Sequence, residues 1–213
     1  MSESTDRRPA LTLIRIGADP QAWVSAGFTV SDHATAVGGV TIQFIAPMGG
    51  IESLGFDWLP DGADSLDGLP IEVYKSAVSE THENGVFAMD QVVIATPDFD
   101  RSAQALRDLG LGLSREVVRK EEAGNEIRQG FVRSGEAILE LVNTVNVPEG
   151  HAHGWGLGFV TQDLGAATEM LEGMIGPPRE AVQPGRHIAV FHRDAQLGLP
   201  VILMDPEPEN QND

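Results

Sequence analysis

Short apolar runs, each closed by Gly, Pro or Asp, succeed one another along the chain, and their spacing predicts many small elements in place of a few long helices. The clearest series begins at Asp90. Gln91-Val-Val-Ile-Ala is short and β-branched, which predicts a strand. Thr96-Pro97-Asp98 then supplies a turn and a helix cap. From Phe99 to Leu109, apolar residues recur at Phe99, Ala103, Leu106 and Leu109, close to the helical period. Gly110 and Gly112 end that helix. Leu113–Arg119, Glu126–Arg133 and Ala137–Val142 follow as strands, with a turn at Ser134-Gly135-Glu136, so the order is βαβββ.

The same order returns from Gly156. Leu157-Gly-Phe-Val predicts a strand, Thr161-Gln162-Asp163 a turn, and Leu164 to Met174 a helix stopped by Gly176-Pro177-Pro178. His187–Arg193 and Pro200–Met204 predict later strands. A slide of 65 residues places Thr96 on Thr161, Asp98 on Asp163, Phe99 on Leu164 and Leu106 on Leu171, which marks an internal repeat. A looser copy opens the chain. Its strand is Leu11–Ile16, its helix is Gln21–Ala26 behind an Asp19-Pro20 cap, and its later strands are Phe28–Val30, Val40–Ala46 and Ser53–Leu59. Pro60–Pro70 predicts an acidic connector and Ile71–Ala77 a further strand. The expected organisation is a module at 10–77, a two-module domain at 89–205 (modules 89–147 and 154–205), and flexible tails at 1–9 and 206–213.

Composition narrows the functional classes. Fourteen Lys and Arg stand against 32 Asp and Glu, a net charge of −18 that repels phosphate backbones and anionic lipid heads. Nucleic-acid and membrane-surface roles are therefore not expected. The absence of cysteine excludes disulfides, thiolate nucleophiles and Cys-bound zinc. Met1 to Pro9 has no apolar signal-peptide core, and no apolar run approaches the ~20 residues of a membrane helix. The expected compartment is the cytoplasm.

The segment Met89-Asp-Gln-Val-Val-Ile-Ala-Thr-Pro-Asp-Phe-Asp, the helix end Leu109-Gly-Leu-Gly-Leu, the closing strand Ile138-Leu-Glu-Leu-Val and the opening Trp155-Gly-Leu-Gly-Phe-Val-Thr-Gln-Asp-Leu together resemble the vicinal oxygen chelate superfamily. That group contains glyoxalase I, bleomycin-resistance proteins and extradiol dioxygenases. The resemblance covers about half the chain, and it reaches the first module only through element order. It implies an α+β fold in which paired βαβββ modules form a curved mixed-sheet cup, here with one additional N-terminal βαβββ-like module. An odd module implies pairing between two chains, hence a homodimer.

In that family a divalent metal is held by one side chain from the first and the last strand of each module. The corresponding positions here are Gln91, Glu140, Gly156 and Ile202. Gln91 and Glu140 carry donors and are the vestige of such a site, while Gly156 and Ile202 carry none. The resemblance thus implies a glyoxalase-like protein that binds a small, partly apolar molecule without a complete metal site and without a resident cofactor. Its alternative is a metal- or Glu-dependent lyase, isomerase or dioxygenase using Gln91 and Glu140.

Strand alternation adds candidates independently. Ile138, Glu140 and Val142 share one face, as do Gln91, Val93 and Ala95. With Leu139 and Leu141 packed on the helices, the opposite face is a largely apolar cup with Glu140 and Gln91 at its polar centre. Glu140 is the candidate catalytic group, and burial should raise its pKa. Gln91, Val93, Ile138, Val142 and Ile202 are candidate ligand contacts, and Trp155 is a candidate stacking platform. Arg186 and His187 open the segment chosen for an anion contact, which runs to Arg193. Arg128 and Arg133 also fall on predicted strands. His151 and His153 sit on one side of an extended chain, while His187 and His192, an odd number apart, cannot both face the cup.

Overall fold

Polar caps and glycines divide the described residues into three short α-helices, a 3-10 turn and fourteen strands. The computed structural model describes residues 7–46, 49–75, 78–120, 126–143 and 150–208. Residues 1–6 and 209–213 of the expected tails, and 144–147 of the expected module 89–147, lie outside the described residues.

The N-terminal part comprises β1 (Leu11–Gly17), α1 (Pro20–Ser25), β2 (Ala34–Val37), β3 (Val40–Ile45), β4 (Ile51–Phe56), β5 (Ser65–Leu66) and β6 (Leu69–Val73). Asp19 caps α1 by accepting a hydrogen bond from the Gln21 amide at 2.9 Å, and Pro20 fills the first helical position. Strand β3 returns parallel to β1, and β6 returns parallel to β4. The first strands of these two shortened units, β1 and β4, pair antiparallel. The expected single module at 10–77 is therefore corrected to two abbreviated units that partner each other within the chain. Among the described residues no unit is left over to pair with a second chain, which was the ground for expecting a homodimer. The error arose because the second unit has no helix: the connector between β4 and β5 holds no helical stretch and masked the repeat.

The C-terminal part comprises β7 (Val86–Thr96), α2 (Phe99–Asp108), β8 (Arg115–Lys120), β9 (Glu126–Ser134) and β10 (Ala137–Asn143), then β11 (His153–Thr161), α3 (Leu164–Met170), β12 (Arg179–Glu180), β13 (His187–Val190) and β14 (Val201–Met204). Asp98 and Asp163 cap the two helices by accepting from the amides of Arg101 and Ala166. Helix α3 stops short of the expected Met174, because Gly173 adopts a left-handed φ of +85°. Strand β10 is parallel to β7 and β14 to β11, while β7 and β11 pair antiparallel. The strand order is thus β8-β9-β10-β7-β11-β14-β13-β12. This repeats, at full length, the arrangement around β1 and β4. The result is an α+β fold with a mixed sheet and few helices.

Two features join the halves. Strand β4 meets β11 at a single pair, Ile51 with Gly154. A Cβ at Gly154 would lie 2.2 Å from the Ile51 Cβ, so only glycine allows the approach. Trp23 of α1 is fully buried. It packs on Phe28 and Phe44 of its own half and edge-on to Phe159 of β11, and its Nε1 donates to the Leu197 carbonyl at 3.2 Å. One apolar core therefore runs through both halves.

The segment 79–84 covers the free edge of β2. The Glu80 amide donates to the Ala36 carbonyl at 3.0 Å, the Ala36 amide to the Glu80 carboxylate at 3.1 Å, and the Gly38 amide to Ser79 Oγ. An edge strand covered in this way offers no template for pairing with other chains. His82 is buried beneath this strap. Its Nδ1 accepts from the Thr29 amide and its Nε2 lies 3.2 Å from the Ala36 carbonyl, an arrangement that requires the neutral ring. Burial accordingly pulls its pKa below the ordinary 6.5.

Gly154→Ala is expected to cost about 1–3 kcal/mol through overpacking at the junction, measured as a lower urea midpoint. For His82, a depressed folded pKa means that the unfolded chain takes up the proton first. The stabilisation from the neutral ring is present above the unfolded pKa and is lost as pH falls through and below it. His82→Gln should remove that part of the decline in urea midpoint between pH 7.5 and 5.5.

Candidate functional site

Alternation along the C-terminal strands separates two faces. On the helix side, Val92, Ile94, Leu139, Leu141, Phe159, Val201 and Leu203 are all fully buried. On the other side, Gln91, Ile138, Val142, Gln129, Phe131, Ile188 and Ile202 are only half-buried. Strand register arranges this inner face in rows. One row runs Arg133, Ile138, Gln91, Gly158, Ile202, Val190 across six strands. The neighbouring row runs Arg115, Phe131, Glu140, Val93, Gly156. Gln91, Val93, Ile138, Glu140, Val142 and Ile202 thus share one surface, with Glu140 diagonal to Gln91 on the adjacent strand.

Glu140 is the polar centre. It is buried to 7 % exposure among apolar neighbours, and its Oε1 accepts from Gln129 Nε2 at 2.6 Å. Burial pushes its pKa above the ordinary carboxylate range. The Gln129 hydrogen bond and the Arg119 charge oppose that shift, and the Asp90 charge adds to it. Gln129 Oε1 is itself buried with no partner among the described residues. The Gln91 amide has no hydrogen bond among them. Gly158 lies opposite Gln91 in the register, and a Cβ there would come within 2.9 Å of Gln91 Cγ. The glycine makes room for the Gln91 side chain.

The residues do not fit a divalent metal. The inner-face side chains of β11 and β14 are Gly156, Gly158, Ile202 and Met204, leaving Gln91 and Glu140 as donors on one wall. Among the described residues no group of three or more His, Asp or Glu is placed to hold an ion. Two ligands fall short of the four or more that such ions take from N and O donors.

Several expected contacts lie elsewhere. Arg186 is buried and its donors are consumed within the chain: Nη1 and Nη2 reach Asp90 Oδ1 at 3.0 Å, Nη1 reaches Gln183, and Nε and Nη2 reach the Asp205 carbonyl. It is a clasp from the start of β13 to β7, across the end of β14. His187 is exposed, with alternation opposite to Ile188 and Val190, and its Nδ1 lies 2.9 Å from Asp205 Oδ2. Arg186 thus spends its donors within the chain, and His187 is turned away from the face that carries Ile188 and Val190. His192 lies beyond β13 with Nδ1 at the Gly173 carbonyl, and Arg193 begins a 3-10 turn at Arg193–Ala195. Arg128 covers the Phe99 ring on the helix side and pairs with Asp100 and Glu116. The His151 ring packs against Gly68 in the N-terminal half.

Trp155 is the extra residue of a bulge, set between the Gly154–Ile94 and Gly156–Val93 pairs, and is 51 % exposed. Gln129, Phe131, Arg115 and Arg119 also occupy the inner face, and the sequence reading passed over them. Their parity with Glu140 follows only from the β8–β9–β10 register, although the alternation of Gln129 and Phe131 with Gly130 and Val132 was visible. A cavity of about 480 Å³ lies where the N-terminal half meets the C-terminal part, lined by Gly17, Pro20, His33, Phe44, Gln196 and Gly198 among others. Neither Glu140 nor Gln91 lines it.

No family model matches the sequence, and no curated protein matches it. Solved structures do. A mutant of 4-hydroxymandelate synthase from Streptomyces coelicolor superposes with a TM-score of 0.67 at 11% identity, covering 97% of this chain and 95% of that one. A xylose isomerase-like TIM barrel/4-hydroxyphenylpyruvate dioxygenase fusion protein gives a TM-score of 0.62 at 10% identity, over 97% of this chain and 50% of that chain. Methylmalonyl-CoA epimerase from Mycobacterium tuberculosis superposes on 59% of this chain and 91% of its own at 20% identity, with a TM-score of 0.48. At such identities the likeness concerns the fold, and the paired βαβββ units with antiparallel first strands agree with it. The chain has the fold of the vicinal oxygen chelate superfamily.

Proposed function

We propose that this chain binds a small, partly apolar molecule on the inner face of its C-terminal sheet, without a complete metal site supplied by its own side chains. The observation that carries this reading is the contrast between the two faces. One is sealed by helices. The other keeps apolar side chains half-open around one buried carboxylate. Apolar surface left partly open around a few placed polar groups is the usual make-up of a small-molecule site. The net charge of −18 argues against a nucleic-acid partner. Among the described residues no helix is long and apolar enough to cross a membrane.

The enzymes that share the fold make chemistry a second reading. Its support here is Glu140, whose raised pKa suits a group that gives or takes a proton on a bound molecule. The metal-dependent version of that chemistry is disfavoured by the donors missing from β11 and β14.

Three outcomes are expected. Nile red, an uncharged apolar dye, should brighten on binding. Ile202→Glu should reduce that signal severalfold, while Val118→Glu on the opposite face should leave it unchanged. Purified protein should hold less than stoichiometric divalent metal by mass spectrometry, and stoichiometric metal abolished by Glu140→Gln would restore the metal-enzyme reading. Finally, a raised folded pKa means that the folded chain loses stability as pH rises through the ordinary carboxylate range. Glu140→Gln should therefore melt higher than the parent at pH 8, with the gap closing toward pH 4.

A further inference from the structure

Charge on the β8–β9 wall is sorted by face. On the outer face Glu116 pairs with Arg128 at 3.4 Å, and Glu126 lies 3.5 Å from Lys120. On the inner face the same strands carry Arg115, Arg119 and Arg133, with Val117, Ile127, Gln129 and Phe131 between them. Five of the twelve arginines meet a carboxylate among the described residues: Arg7, Arg15, Arg101, Arg128 and Arg186. Arg115 and Arg119 do not. Neither makes a hydrogen bond or ion pair among the described residues. Arg115 lies against the Phe131 ring, with its guanidinium carbon 5.7 Å from the ring centroid. Arg119 acts on Glu140 through charge alone. Arg133 spends one nitrogen on the Glu136 carbonyl.

We propose that the molecule held in the cup is a small organic anion, a carboxylate on an apolar or aromatic body, with its charged end at Arg115 and Arg119 and its body against Phe131, Ile138 and Val142. This rests on the reading of the inner face as a ligand site and gives that site its chemical class. A guanidinium presents a planar fork of donors that matches a carboxylate, and such charge-assisted bonds are about twice as strong as neutral ones. Alternation turns Glu116 and Glu126 to the other face, and Glu140, the carboxylate on the inner face, is hydrogen-bonded to Gln129 and makes no ion pair with either arginine among the described residues. Phe131 sits in the row between Arg115 and Glu140, so a body lying on its ring brings an attached carboxylate within reach of Arg115. The anion contact thus moves from Arg186, whose donors are consumed, to the opposite wall of the sheet.

The test compares 3-phenylpropionate, 3-phenylpropanol and 3-phenylpropylamine by titration calorimetry at low salt, on the full chain. The carboxylate should bind about tenfold or more tighter than the alcohol. Arg115→Gln with Arg119→Gln should bring it down to the alcohol's level, and Glu116→Gln, on the outer face, should leave the preference in place. Because Arg115 is exposed and Arg119 half-buried on an edge strand, the variants should fold, and circular dichroism checks that they do. Equal affinity for carboxylate and alcohol, a preference for the amine, or a carboxylate preference that survives loss of both arginines would each overturn the inference while leaving the cup reading intact. Binding of none of the three would overturn it as well. The Nile red comparison then shows whether the cup reading fails with it.

Discussion

The antiparallel seam between β7 and β11 is the constraint on which the rest of the cup depends. Each of these strands is the first of its unit and carries a parallel return strand on its far side, β10 or β14. Because side chains alternate along a strand, the seam's register decides which residues of all eight strands look inward. It places Gln91 against Gly158 and Val93 against Gly156, and through β10 it places Glu140 beside them. Register shifts at Gly154/Gly156 and Gly158/Phe159 take up an extra residue on each strand, Trp155 on β11 and Asp90 on β7. Asp90 is thereby placed to receive Arg186, the clasp at one end of the cup.

The N-terminal half repeats this logic in reduced form. Strands β1 and β4 form its seam, and β3 and β6 return parallel to them. Its inner face carries its own polar group, in which Arg15 pairs with Glu72 and donates to Gln43 at 2.7 Å. That arginine is satisfied where Arg115 and Arg119 are not. Two halves of one sheet with the same plan thus differ in this: one closes an ion pair where the other leaves two arginines without one among the described residues. The halves hold together through Trp23, the Gly154–Ile51 approach, and Asp67, whose carboxylate takes Arg101 and Ser102 from the start of α2.

Glu140 was recognisable because it interrupts Ile138-Leu-Glu-Leu-Val, where a carboxylate inside an apolar strand calls for a reason. Gln91, Val93, Ile138, Val142 and Ile202 followed from the same two-residue period, and the register confirms that they share Glu140's face. The contacts of Arg186 and His187 were not legible in the sequence, because they depend on partners far along the chain. Asp90 is 96 residues from Arg186, and no local pattern announces that pairing. The face of Gln129, Phe131, Arg115 and Arg119 was not legible, because a slip of one residue between β9 and β10 would turn all four away from the cup, and one between β8 and β9 would turn away Arg115 and Arg119.

The sequence by itself determined the local pieces: three Asp-capped helices, strands of alternating or continuous apolar character, and the repeat at a spacing of 65 residues. Those properties depend on backbone geometry and near neighbours, which the chain order contains directly. Only the tertiary structure decided that the strands from β1 to β6 make two abbreviated units, that Arg186 is a clasp, and that Arg115 and Arg119 share the inner face with no ion pair among the described residues. Each of these depends on which strands pair and in what register. Packing across the whole sheet settles that choice, through contacts between residues remote in sequence.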